Sequence, residues 1–366
     1  MEKKLFFYDV SGYDKCNLQQ LDSIRGIMAL LILGCHFFAT FSSPWPKWGI
    51  FAPFSILGNA GLGLCYFFVL SGFVISYSLQ KKQRNVTLVK YAINRFMRLL
   101  PPVAVSILLM FFFQKYQLLI IPDYILTKSE WASNLYQFQS NESLVNPIYD
   151  IFFNSFLGGD VMYNCNLWAI RFEFLVPLLL VIINPFLHNK KVRTICDIVT
   201  IFLIIFLVEK RWFFLACMLL GMLLCYYLRQ LQWFKVKTSI VAIGGLICII
   251  YLFPSLIQKD FLSRWVNLVF ALSILILIVK EKSEKKNRLL DSKLLCLVGK
   301  VSYEIYVFHL FFLFTFSSLF IQFFDSFLAY NILIIICYVL TIIITVVISV
   351  IFHKYVSLKL LRFKLE

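Results

Sequence analysis

The chain alternates long apolar runs with short polar segments, and the length of those runs decides what the fold can be. A helix needs about 20 predominantly apolar residues to cross a bilayer. Windows of that size pick out Ile24 to Ser43, Ala60 to Gln80, Phe96 to Gln114, Asn166 to Pro185 and Ile195 to Val208. Further along they pick out Trp212 to Leu228, Ser239 to Leu256, Trp265 to Lys280, Val301 to Phe323 and Ala329 to Phe352. The fifth and sixth are the least distinct, because only Glu209, Lys210 and Arg211 part them. The runs are continuous and rich in Leu, Ile and Phe, whereas barrel strands alternate apolar and polar positions. Helices also satisfy their own backbone groups in hydrocarbon. The pattern predicts an all-α integral membrane protein, a polytopic bundle of about ten transmembrane helices in a single domain over residues 1–366.

Composition agrees, with 61% hydrophobic and 15% charged residues, and charge adds the orientation. The net charge of +16 comes from 35 Lys and Arg against 19 Asp and Glu. Such a balance in a soluble protein would raise nucleic acid as a partner. Here the basic residues fall in alternate loops, 81–98, 188–193, 229–237 and 280–300, and in the tail 354–364. They therefore read as topology signals facing anionic lipid headgroups, and no nucleic acid is expected. The positive-inside rule places both termini in the cytoplasm, with residues 1–20 a cytoplasmic segment and 353–366 a cytoplasmic tail. No signal-peptide pattern opens the chain. The long loop 115–165 falls outside and carries Asp123, Glu130, Glu142, Asp150 and Asp160. Within it, Leu144 to Leu157 is too short to cross comfortably and reads as interfacial or re-entrant. His188 and His353, at span ends, read as interfacial. Most of the ten cysteines lie in apolar runs as small hydrophobes, and no metal-site spacing occurs.

Ionisable groups inside the spans are costly and mark candidate chemistry. Arg25 and His36 are eleven residues apart, a rotation of about 1100°, so they share one helical face roughly 16 Å apart along the axis. Counting rise from the span ends puts His36 roughly 10 Å below the outer surface and Glu173 at a similar depth, where a base and a carboxylate could meet. Ser71 falls near the midplane, and Tyr303, Tyr306 and His309 fall in the inner half of the ninth span. Arg95 and Arg98 share a face at the cytoplasmic end of the third span, beside Arg25. Each residue also has a structural reading. His36 could bond a neighbouring helix, Arg95 and Arg98 could serve topology alone, and Ser71-Gly72 could be a packing notch. Arg171 and Glu173 face nearly opposite directions and form no local pair.

Five separated segments together resemble one family. They are Arg25 with His36, Gly63-Leu64-Cys65-Tyr66-Phe67-Phe68-Val69-Leu70-Ser71-Gly72-Phe73, Arg95-Phe96-Met97-Arg98-Leu99-Leu100-Pro101, Trp168 with Glu173, and the stretch from Gly299 through Tyr303 and Tyr306 to His309. In this order they are similar to the membrane-bound acyltransferase-3 family. The resemblance implies a ten-span bacterial inner-membrane enzyme that moves an acyl group, usually acetyl from acetyl-CoA, onto a hydroxyl of a carbohydrate outside the cytoplasm. It implies acyl-CoA as co-substrate with no bound cofactor, and an O-antigen-like glycan or exported polysaccharide as acceptor. By position it makes His36 the catalytic base or acyl carrier and Arg25, Arg95 and Arg98 the donor-binding groups. Ser71, Glu173 and Tyr303 become further site candidates, Glu173 either orienting the chemistry or linking helices. Cys65 stands where an acidic residue is frequent and Ala169 where serine is usual, so neither receives a role. Arginine suits the phosphates of coenzyme A, and neutral imidazole can take a proton from a sugar hydroxyl or carry the acyl group itself. A flippase or transporter would show inverted repeats and a polar path through the membrane, neither of which is visible. A purely structural subunit leaves Arg25 and His36 on one face unexplained.

Overall fold

The computed structural model describes residues 15–41, 59–82, 87–119, 144–206, 212–230, 260–280 and 289–360. Every regular element among them is helical: α1 (Lys15–Phe41), α2 (Ala60–Lys82), α3 (Leu88–Lys115), α4 (Val145–Tyr149), α5 (Ile170–Ile183), α6 (Lys190–Phe206) and α7 (Phe213–Gln230). They continue with α8 (Asp260–Lys280), α9 (Lys293–Lys300), α10 (Ser302–Phe312), α11 (Ser318–Phe324) and α12 (Tyr330–Phe352). Among the described residues, six stretches are long and apolar enough to cross a membrane: Gln19–Phe41, Ala60–Gln80, Leu88–Lys115, Cys165–Leu187, Ser302–Phe324 and Tyr330–Leu360. The fold is therefore an all-α multi-pass membrane bundle. Helices α6, α7 and α8 stand at the expected fifth, sixth and eighth spans but are shorter or less apolar. The expected span Ser239 to Leu256 lies outside the described residues.

Several boundaries differ from the hydropathy reading by five residues or more, and three of them show the physical reason. Apolar windows locate the part of a helix in hydrocarbon, while hydrogen bonding carries the helix into polar sequence. Thus α1 begins at Lys15, inside the expected polar N-terminal segment. Helix α3 begins at Leu88, eight residues before Phe96, and so includes Arg95. Beyond α12 the chain stays helical to Leu360 through a π-helical turn at His353–Ser357, where a tail was expected. His353 is accordingly buried: its Nδ1 lies 2.7 Å from the Glu304 carboxylate, which also accepts from Ser357 Oγ at 2.8 Å. The carboxylate inside the bundle draws both groups inward, because a lone buried charge is costly. Segment Leu144 to Leu157 becomes α4 followed by a π-helix, Asp150–Gly158, packed against α3 and α5.

Helix α2 is the centre of the packing, touching α1, α5, α7 and α8. Its closest approach is to α7, where a methyl at Gly72 would lie 1.8 Å from the Met218 carbonyl oxygen and one at Gly221 would lie 1.9 Å from that of Val69. Small residues permit such backbone contact, which dispersion and weak hydrogen bonds then stabilise. Gly72 is thus the packing notch, and its neighbour Ser71 turns toward a different helix. Gly221→Val should lower the thermal midpoint of the detergent-solubilised protein, through overpacking of about 1–3 kcal/mol. An unchanged midpoint in a heated size-exclusion assay would show that the two helices do not depend on this contact.

Candidate active site

A cavity of about 170 Å³ opens between α1, α2, α3, α5 and α10. Its polar lining includes Arg25, Arg95, Arg98, Ser71, Glu173 and Tyr303, so six of the seven sequence-selected residues meet in one chamber. Leucine and phenylalanine side chains of α2 form an apolar wall. The arginines lie in the N-terminal halves of α1 and α3, as the shared-face argument requires. Asp22, one turn before Arg25, also lines the chamber and pairs with Arg25 at 3.5 Å.

At the wall of α5, Arg95 is buried and donates from Nη2 to Glu173 Oε2 at 2.7 Å, while its Nε bonds the Glu173 backbone carbonyl. Ser71 Oγ donates to the other carboxylate oxygen, Glu173 Oε1, at 2.8 Å. One carboxylate therefore joins α2, α3 and α5. Tyr303 Oη donates to the Leu99 carbonyl at 2.9 Å and ties α10 to α3. Arg171 points elsewhere, donating to Gly158 O at 2.6 Å and lying over the rings of Phe172 and Trp212.

His36 does not line this chamber, and its partner is not Glu173. Its Nδ1 lies 2.9 Å from His309 Nε2, with the two rings parallel within 6° and their centroids 5.1 Å apart. Asn166 Nδ2 reaches His309 Nε2 at 2.8 Å and His36 Nδ1 at 3.4 Å. The expected equal depth does not hold: Asn166 reaches the histidine pair, while Glu173, seven residues further along the chain, lies beside Arg95. Glu173 is held by the Arg95 guanidinium and the Ser71 hydroxyl, the strongest available donors to a carboxylate in a low-dielectric site. The chamber and the histidines remain adjacent, because Tyr306 lines the chamber and its hydroxyl bonds the Asn166 backbone carbonyl.

The register of α1 against α9 and α10 brings the two histidines together. Gly26 faces Gly299, where an added methyl would lie 2.7 Å from the Gly299 nitrogen, and Ser23 Oγ donates to Leu290 O at 2.6 Å. His36 and His309 each follow ten residues after these glycines. The segments run the same way, so about 15 Å of rise on each brings the rings level. Counting depth from the ends of separate spans placed His309 too far inward, because the two helices are staggered. Asn166 escaped notice as the first residue of a span, and its position depends on the turn before it. There Asn164 Nδ2 donates to Ser106 Oγ at 2.8 Å and to Val307 O at 3.0 Å. Asp150 accepts from the Met162 and Tyr163 amides at 2.7 and 3.2 Å, although burial pushes its carboxyl above the usual range. The signal that could have found His309 was its place in the same motif as Tyr303 and Tyr306.

The geometry is that of a polytopic helical bundle with an arginine-lined chamber beside a buried histidine pair. The sequence matches the family model for an acyltransferase domain over residues 18–352, and the chain belongs to this acyltransferase-3 family. It is a multi-pass membrane acyltransferase. No curated protein and no solved structure matches it.

Proposed function

We propose that the chain is an O-acyltransferase that takes acetyl from acetyl-CoA on the cytoplasmic side of a bacterial inner membrane, where both termini lie. The acceptor is a hydroxyl of a surface or exported carbohydrate of the O-antigen class. The observation that carries this reading is one chamber holding Arg25, Arg95 and Arg98, separated from His36 by Tyr306 and Asn166. Guanidinium groups match the phosphates of coenzyme A in charge and in bidentate geometry. The apolar wall of α2 suits the pantetheine arm, which points the thioester toward the histidines. As the acceptor oxygen attacks the thioester carbonyl carbon, the His36 imidazole takes the hydroxyl proton. The C–S bond then breaks, an ester forms, and the thiolate leaves with that proton as free thiol. The same ring can instead accept the acyl group and pass it to the hydroxyl in a second step. Either route consumes one thioester and yields one ester. Glu173 holds Arg95 in place, as Asp22 does Arg25.

Sealed membranes containing the chain, supplied with acetyl-labelled CoA and their native glycan, test this reading. Base-labile label should enter the glycan, and mass analysis should find an added acetyl. Absence of label from the glycan, with acetyl-CoA and with longer acyl-CoAs alike, would overturn the proposal.

A further inference from the structure

We propose that His309 is a positioning residue that holds His36 in the tautomer with its proton on Nδ1 and its lone pair on Nε2. This rests on the transfer role of His36 proposed above, and it names which nitrogen does the work. The assignment follows from which atoms can donate. His309 Nδ1 lies 3.2 Å from the Ile305 carbonyl oxygen, one helical turn back. A carbonyl oxygen only accepts, so that nitrogen carries the proton. In a neutral ring Nε2 of His309 is then an acceptor, and the Asn166 amide at 2.8 Å agrees, being a donor. His36 Nδ1 lies 2.9 Å from the same Nε2, a hydrogen bond only if His36 Nδ1 carries the proton, so the His36 ring and the Asn166 amide share the one lone pair of His309. The lone pair of His36 is left on Nε2, the nitrogen turned away from His309.

This arrangement serves both routes of transfer. When Nε2 of His36 takes the hydroxyl proton, the positive charge that forms is shared through Nδ1–H with the His309 acceptor. When Nε2 attacks the thioester carbon instead, the C–S bond breaks, the thiolate leaves, and the acylated ring is cationic; its Nδ1 proton then passes to His309 Nε2. That leaves a neutral acyl-imidazole and a His309 imidazolium. As the acceptor oxygen takes the acyl group and the C–N bond breaks, His309 returns its proton to His36 Nδ1. The hydroxyl proton goes to the thiolate, giving the free thiol. An orienting partner of this kind fixes the tautomer of a catalytic histidine and supports its charged form. Its geometry depends on the Gly26 and Gly299 contact that sets both rings at one level, and on Asn166, which donates to the same nitrogen.

The chain has four histidines, His36, His188, His309 and His353, so a histidine-labelled sample in nanodiscs gives assignable nitrogen resonances. In the unmodified protein His36 should show a protonated Nδ1, the tautomer that isolated neutral imidazole side chains disfavour. Finding the proton on Nε2 would overturn the proposal without any variant. His309→Phe keeps a flat aromatic ring, somewhat larger than imidazole, and removes the acceptor. It should release His36 toward Nε2–H and lower kcat for label transfer from acetyl-CoA to glycan by about 10²-fold or more, leaving KM for acetyl-CoA within about twofold. His309→Gln places an amide oxygen near the lost Nε2 and should restore kcat to within about tenfold of the unmodified rate. Phe and Gln variants equally impaired, with the His36 tautomer unchanged, would reduce His309 to packing. Should His36→Ala itself retain transfer, the proposed function would fail while the nitrogen spectrum still reported the tautomer.

Discussion

His36→Ala should abolish acyl transfer, lowering the rate by at least about 10³-fold, while acetyl-CoA continues to bind. General-base assistance alone contributes about 10²–10⁴-fold, and an acyl-carrying ring would contribute more. The variant removes the ring that touches His309 and Asn166 but none of the six polar residues selected for the chamber. Rate and donor affinity therefore separate cleanly in this variant. Label transfer measured at matched abundance, with donor binding to the same preparation, checks both halves. A rate within tenfold of the unmodified protein would remove His36 from the chemistry.

Glu173→Ala should reduce stability and donor affinity together. Arg95 has 8% of its side chain exposed and takes its charge compensation from this carboxylate at 2.7 Å. Removing one partner of a buried pair leaves an uncompensated charge, which costs about 3–5 kcal/mol. The Glu173 backbone carbonyl still accepts from Arg95 Nε, so the residue should be displaced and not expelled. The double variant Arg95→Met with Glu173→Leu distinguishes packing from binding, because an apolar pair of similar volume often replaces a buried ion pair without loss of stability. It should regain the thermal midpoint and still bind acetyl-CoA weakly. If the double variant recovered donor affinity as well, Arg95 would be a structural residue only. Full stability of Glu173→Ala would show instead that water already screens the pair.

The fold class was readable from hydropathy because the bilayer imposes length on every crossing helix, and Ala60 to Gln80 appears in the structure with the same ends. Helices α1 and α3 were read too short, since lysine and arginine interrupt the apolar pattern without interrupting hydrogen bonding. The chamber was legible for a related reason. Arg25, Arg95 and Arg98 are conspicuous in apolar sequence, and helical spacing gives their faces directly. What spacing within one helix cannot give is the lateral neighbour. Counting from separate span ends gave Glu173 and His36 one depth, yet Asn166 lies at the histidines and Glu173 lies seven residues further on beside Arg95. His309 was assigned a depth other than that of His36, from its own span end. Their relation is set by the contact of Gly26 with Gly299, between residues 273 positions apart. His353 was misplaced likewise, because its partner Glu304 lies on a distant helix.

Equilibrium binding of acetyl-CoA to the purified chain in nanodiscs tests most directly the central claim that the arginine-lined chamber holds the acyl donor. The unmodified protein and His36→Ala should bind alike. Arg98→Ala should weaken binding by about 10- to 100-fold, the loss of one charge-assisted hydrogen bond of about 1.5–3 kcal/mol. Equal affinity of Arg98→Ala and the unmodified protein, or loss of binding on replacing His36, would contradict it.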